Sequence, residues 1–231
     1  MDDGSMIEAI VFDMDGLLFD SERIVQRSWE EAGNQLGLEH MGETIYHTLG
    51  MNLAGRNHYF RNTIAEDFPC EEFAKQARIW FYKIVNEEGL PMKNGARKLL
   101  EYGKVNGYRM AIATSSRKEY ALKNLKAAKI YDFFDAGVFG DMVQHAKPDP
   151  EIYLKACDRI GAYPANCIAL EDAPAGIRAA YAAGMKPIMI PDLVAPTPEI
   201  EALLYGTCDT LLGVIGILEK LKSRKRMINI K

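Results

Sequence analysis

The chain has 231 residues, 48% hydrophobic, 26% charged and 10% aromatic, proportions of an ordinary globular protein that exclude disordered, collagen-like and fibrous readings. Its 28 Lys and Arg against 32 Asp and Glu leave a formal charge of −4, so no overall basic field points to nucleic acid. Cys70, Cys157, Cys167 and Cys208 form neither a C-x-x-C pair nor a dense framework, which argues for reduced thiols in a cytoplasmic protein, without zinc.

The opening Met1–Met6 reads either as a native start or as an appended segment and is set aside from the fold argument. The apolar run Ile7–Phe12 is too short for a signal-peptide core or a membrane span and has the length of a buried strand. From Ser21 to Glu88 there is no strand run but helical spacing, beginning with Val25, Trp29, Ala32 and Leu36. A stretch of that length predicts a small helical subdomain rather than a loop. Gly89, Pro91 and Gly95 mark the return linker, so the expected division is a core of residues 1–19 and 89–231 with a helical insertion of residues 20–88.

Further short apolar runs follow at Tyr108–Ala113, Ala136–Phe139, Cys167–Leu170 and Pro187–Ile190. Runs apolar on both faces suit a parallel sheet covered by helices on both sides. Between them, Ser116 with Glu119 reads as a capping box before a helix over 120–129. Asp149-Pro150 opens a helix with the stripe Ile152, Tyr153, Ala156, Cys157 and Ile160, stopped by Gly161. A third helix runs from Pro174 to near Gly184 with the face Ile177, Ala180 and Tyr181. The alternation predicts an α/β fold: a doubly wound, parallel-sheet, Rossmann-like core with an inserted α-helical subdomain.

Four segments carry candidate chemistry, each at or beyond the end of an expected strand. In Asp13-Met14-Asp15-Gly16 two carboxylates lie two residues apart directly after the first strand. Like charges so close repel unless a cation lies between them or one is protonated, and Mg2+ suits hard oxygen ligands; a solvated surface turn is the alternative. Thr114-Ser115-Ser116 puts a hydroxyl and free N–H groups at a helix N-terminus, where an anion can sit. Lys147, in Ala146-Lys147-Pro148-Asp149-Pro150, can place an ammonium against a phosphate or the carboxylates. Glu171-Asp172 supplies further carboxylates for a cation. Singly each has a plain explanation as a turn, a cap or a solvated charge; together, in this order, they point to one site.

These four segments resemble the four motifs of the haloacid dehalogenase-like hydrolases, over nearly all of Ile7 to Leu218. The insertion after the first motif is similar to that family's small helical cap. The runs Asp15-Gly16-Leu17-Leu18-Phe19-Asp20-Ser21-Glu22 and Leu170-Glu171-Asp172-Ala173-Pro174-Ala175-Gly176 are most similar to the sugar-phosphatase and β-phosphoglucomutase branch. The resemblance implies that Asp13 is the nucleophile, forming an aspartyl-phosphate, and that Asp15 is general acid and then base. It implies Mg2+ held by Asp13, Asp15 through its carbonyl, Asp172 directly, and Glu171 through water or as an orienting neighbour. It assigns Thr114, the backbone at Ser115, and Lys147 to the phosphoryl oxygens.

Phosphatase and mutase share this core, so the distinction falls on the cap. Where the mutase pattern has a histidine and an arginine, this sequence has Val25 and Leu53. The expectation is a Mg2+-dependent phosphatase, a monomer acting on a small phosphorylated metabolite such as a sugar phosphate or nucleotide-like monoester, with a phosphohexomutase as alternative. Arg56, Arg61, Lys75 and Arg78 read as solvated helix charges, His40, His47, His58 and His145 as scattered side chains, and the basic tail from Lys220 to Arg226 as a favourable helix end.

Overall fold

In the computed structural model of the protein the described residues are 6–48, 51 and 53–228, with side chains described as far as residue 223. Residues 1–5 of the opening segment and the side chains of Arg224, Lys225 and Arg226 lie outside them. The chain divides into two compact units, one of residues 1–19 and 92–231 and one of residues 20–91.

Strand β1 (Ala9–Phe12) is wholly buried. The chain then enters the helical unit: α1 (Ser21–Gln35), α2 (Ile45–Thr48), α3 (Leu53–Thr63) and α4 (Cys70–Glu88). Its core is aromatic, because Trp29 meets Phe60 and Phe73 edge-on at 5.7 Å each and Phe68 packs 4.8 Å from Phe60. Ile24, Ile84 and Val85 form a second cluster with Phe81 and Leu90. Across its surface, Arg27 pairs both terminal guanidinium nitrogens with Glu88, at 2.8 and 2.6 Å.

Back in the first unit come α5 (Ala96–Val105), β2 (Arg109–Thr114), α6 (Lys118–Ala127), β3 (Ala136–Phe139) and α7 (Glu151–Arg159). They are followed by β4 (Cys167–Glu171), α8 (Pro174–Ala182), β5 (Lys186–Met189), α9 (Pro198–Glu201), β6 (Gly206–Thr207) and α10 (Leu211–Ile228). The six strands are parallel in the order β3-β2-β1-β4-β5-β6, the doubly wound arrangement expected from the alternating runs. Side-chain size alternates with the pleat: Ala9, Val11, Ala111, Ala113, Cys167 and Ala169 share one cluster with Ile152, Tyr153 and Ala156 of α7 and Ala179 and Ala180 of α8. Small strand residues on that face let the helices approach closely.

Two local expectations change, and one strand goes unforeseen. Of the expected α8 face, Ile177 and Ala180 are buried but Tyr181 is 53% exposed, and Gly176 and Ala179 are buried in its place, since the small residues let the helix turn their edge to the sheet. The short β6 has no apolar run to announce it. Helix α6 starts at Lys118 after Arg117, whose side chain makes no cap bond; Asp141 Oδ1 accepts the Lys118 N–H at 3.1 Å, and the Ser116 hydroxyl is used elsewhere.

Candidate active site

The strand order reverses between β1 and β4, the place where open α/β sheets leave a crevice at the strands' carboxyl ends. Phe12 pairs with Ile112 on one side and Leu170 on the other, so the next residues, Asp13, Ala113 and Glu171, come level with one another. The Asp13 N–H continues the ladder to Leu170 O at 3.0 Å. Lys147 binds all three positions: its Nζ donates to Asp13 Oδ1 at 2.6 Å, Glu171 Oε1 at 2.6 Å and Ala113 O at 2.9 Å. The lysine side chain is only 8% exposed, and three donors on three oxygens satisfy the ammonium.

Asp15 occupies a different environment. Its Oδ2 accepts from Ser116 Oγ at 2.7 Å and, more weakly, from Thr114 Oγ1 at 3.5 Å, while the Ser116 N–H donates to Thr114 Oγ1 at 3.1 Å. Thr114 is buried, and the side chain of Ser115 is exposed on the turn that follows β2. Ser116 is thus a site residue that the capping-box reading assigned to the helix instead.

The fourth segment depends on two glycines. A Cβ on Gly176 would lie 1.8 Å from Glu171 Oε1, so the carboxylate fits against α8 only because that side chain is absent. Gly16 has φ +79°, and a Cβ there would lie 2.2 Å from Asp172 Oδ2. It therefore supplies both the left-handed turn and the room for Asp172. Tyr153, read from the sequence only as part of an apolar stripe, is fully buried and donates its hydroxyl to Glu171 Oε1 at 2.6 Å. Its ring centroid lies 5.0 Å from Lys147 Nζ.

Burial dominates the electrostatics. It pushes Asp13 up to about 7 against the pull of Lys147, with Glu171 and Asp15 adding to the rise. It also raises Asp15, opposed by the Ser116 hydrogen bond. For Lys147 burial acts downward, but the charges of Asp13 and Glu171 outweigh it and hold the ammonium above its ordinary value. Burial, then the charges of Glu171 and Asp13, keep the Tyr153 hydroxyl protonated well above its ordinary range. Oxygens of Asp13, Glu171 and Asp172 lie within 4.8 Å of one another. This all-oxygen set, with one carboxyl resisting ionisation, fits a divalent hard cation such as Mg2+.

A second group, His145, Asp149 and Glu151, is also close enough for a shared ion. Its glutamate is already engaged with the N–H groups of Gln144 and His145 and with Lys155 Nζ. In the helical unit Val25, Trp29, Leu53, Arg56, Phe60 and Arg78 border a cavity of about 240 Å3. Two of the four cations read as solvated therefore face this cavity, and half-buried Arg56 lies over the Trp29 ring at 5.4 Å. Lys75 instead pairs with Glu72 at 3.4 Å.

The family described as haloacid dehalogenase-like hydrolase matches residues 10–190. A Thermotoga maritima protein named phosphorylated carbohydrates phosphatase is 30% identical over 216 residues, 94% of this chain and 99% of its own. Hexitol phosphatase B of Escherichia coli (strain K12) is 29% identical over 216 residues, 90% of this chain and 97% of its own. Among solved structures, CbbY from Rhodobacter sphaeroides in complex with phosphate aligns with a TM-score of 0.68 at 26% identity, over 89% of this chain and 95% of that one.

Proposed function

This chain belongs to the haloacid dehalogenase-like hydrolases and is a phosphoric monoester hydrolase, and from that premise we propose that it is a Mg2+-dependent phosphatase of a small sugar phosphate or nucleotide-like monoester. One observation carries the mechanism: two aspartates two residues apart sit in separate environments, Asp13 on the Lys147 ammonium and Asp15 on the hydroxyls of Ser116 and Thr114. Pairs of carboxyls separated in this way divide into nucleophile and acid–base.

Asp13 attacks phosphorus, the bond to the leaving oxygen breaks, and Asp15, whose protonated form burial favours, delivers its proton to that oxygen. Water then attacks the aspartyl-phosphate, gives its proton to Asp15, and inorganic phosphate leaves with Asp13 restored. Thr114 and the backbone at Ser115 hold the phosphoryl oxygens, and Lys147, its three donors already engaged, faces them with its charge, where fixed dipoles and charges stabilise the developing anion. Asp13, Asp172, Glu171 and the Asp15 carbonyl are the residues we assign to Mg2+. Bound there, it supplies the positive charge that favours ionised Asp13 and offsets repulsion between two anions. The helical insertion, residues 20–88, is assigned the part of a cap that selects the leaving group. Phosphorylated carbohydrates and hexitols figure in the names of two relatives, which supports this substrate class. Val25 and Leu53, which border the helical unit's cavity, stand at the sequence places where the mutase pattern has a histidine and an arginine, which favours hydrolysis over transfer to a sugar hydroxyl.

The test is phosphate release with Mg2+ across a panel of sugar phosphates and nucleoside monophosphates, run beside an EDTA control and Asp13→Asn. We expect release that needs the metal and falls at least about a thousandfold in the variant. Conversion of β-glucose 1-phosphate to glucose 6-phosphate without free phosphate would replace the phosphatase reading by the mutase one. Release that survives Asp13→Asn would remove the aspartyl-phosphate.

A further inference from the structure

On α7 the residues Ile152, Tyr153, Ala156 and Cys157 pack into the sheet's core, and a phenylalanine at position 153 would fill the same space. The hydroxyl is the part of Tyr153 that packing does not require. It nevertheless lies in a fully buried side chain and ends 2.6 Å from Glu171 Oε1, the oxygen that also receives Lys147 Nζ. The other oxygen of Glu171 has only a long contact, 3.4 Å, to the Ala173 N–H. The carboxylate occupies the space that a Cβ on Gly176 would fill, so the glycine admits it but supplies no side-chain donor to fix its rotation. Two strong donors on one oxygen do set it, and one of them is the ammonium that also grips Asp13.

We propose that Tyr153 is a positioning residue whose hydroxyl fixes the Glu171 carboxylate and whose ring face steadies Lys147, so that the cation site and the phosphoryl-facing ammonium stand assembled before substrate arrives. This rests on the reading of the site as a Mg2+-dependent phosphatase. Hydrogen-bond partners of ligating carboxylates generally govern metal affinity and activity by about 10–100-fold, and Tyr153 stands in that relation to Glu171.

The substitution that isolates the hydroxyl is Tyr153→Phe, which keeps the ring and its face toward Lys147. Mg2+ binding is measured by titration calorimetry on the free enzyme. Turnover of p-nitrophenyl phosphate is followed at saturating Mg2+, with the thermal midpoint as the packing control. We expect Mg2+ affinity to weaken about tenfold and kcat to fall about tenfold, with KM within twofold and the midpoint within a few degrees. Unchanged Mg2+ affinity and unchanged kcat overturn the proposal. A variant that fails to fold, or that loses activity only in step with its thermal midpoint, overturns it as well, because the proposal holds that stability at position 153 needs only the ring. If the wild type turns over no phosphomonoester at all, the phosphatase reading falls, while the calorimetry still decides what Tyr153 does for the cation site.

Discussion

Lys147 is held by three oxygens in a space closed to water, and its removal leaves two buried carboxylates facing each other. Lys147→Met matches the stem but deletes the charge, and stranding a buried ion partner costs about 3–5 kcal/mol. The sign of its pH dependence follows from Asp13, whose carboxyl burial already raises to about 7. Without the ammonium it rises further. A carboxyl with a raised folded value loses stability as pH climbs above its unfolded value, so the deficit of Lys147→Met grows from pH 5 to pH 8. Urea unfolding in EDTA at both pH values measures it, and a deficit that shrinks with pH would contradict the assignment. At Gly176 two effects compete. Alanine in a helix interior gains about 1 kcal/mol over glycine, but a Cβ 1.8 Å from Glu171 Oε1 is overpacking, which costs about 1–3 kcal/mol. The clash involves a charged group fixed by two donors, so Gly176→Ala is expected to lower the urea midpoint despite its better helix propensity. The carboxylates and Lys147 were legible as candidates because charges after apolar runs stand out in a sequence. Ser116 and Tyr153 were not, since a serine before a helix looks like a cap and a tyrosine at core spacing looks like packing; only the path of the chain in space shows where their hydroxyls point.

At the scale of the element, α7 and the loop before it act together. Glu151, the first residue of α7, accepts the N–H groups of Gln144 at 3.0 Å and His145 at 2.8 Å and the ammonium of Lys155 at 2.6 Å, while its own N–H donates to Asp149 Oδ1. One carboxylate thus ties down the loop that delivers Lys147. The Lys155 hydrogen bond first, then those two N–H groups, hold the Glu151 carboxyl down at about 2. A depressed carboxyl contributes stability above its unfolded value of 4.5 and loses that contribution as pH falls toward about 2. Glu151→Gln should therefore melt lower than wild type at pH 6, and the two melting curves should converge as pH approaches 2. A difference that persists unchanged to pH 2 would show that the tie is not ionic. Strands β1 to β5 could be read because buried parallel strands are continuous apolar runs. Strand β6, Gly206–Thr207, could not, because two residues at a sheet edge carry no periodicity. Tyr181 was misplaced for a related reason: on a helix as rich in small residues as α8, the alanines and glycine compete with the large side chain for the sheet, and close approach favours them.

For the whole molecule, the division into two units has a spectroscopic consequence. Both tryptophans, Trp29 and Trp80, belong to the unit of residues 20–91, whereas among the described residues every strand belongs to the other. Each unit has its own buried cluster, aromatic in one and sheet-centred in the other, which is what independent unfolding requires. Tryptophan fluorescence thus follows the helical unit, and the β-sheet signal in infrared absorption follows the core. Ligands that bind only the folded state stabilise by mass action, about 2.7 kcal/mol at a hundredfold excess over Kd. The acidic cluster lies entirely in the core, at the ends of β1 and β4. Mg2+ with fluoroberyllate, a mimic of the phosphoryl group we propose on Asp13, should therefore raise the sheet's unfolding midpoint by several degrees and the tryptophan midpoint by less. Equal shifts under both probes would mean that the two units unfold as one cooperative body, with ligand energy placed at the strand ends reaching the helices undiminished. A shift in the tryptophan signal alone would place the ligand in the helical unit and remove the carboxylate cluster as its binding site.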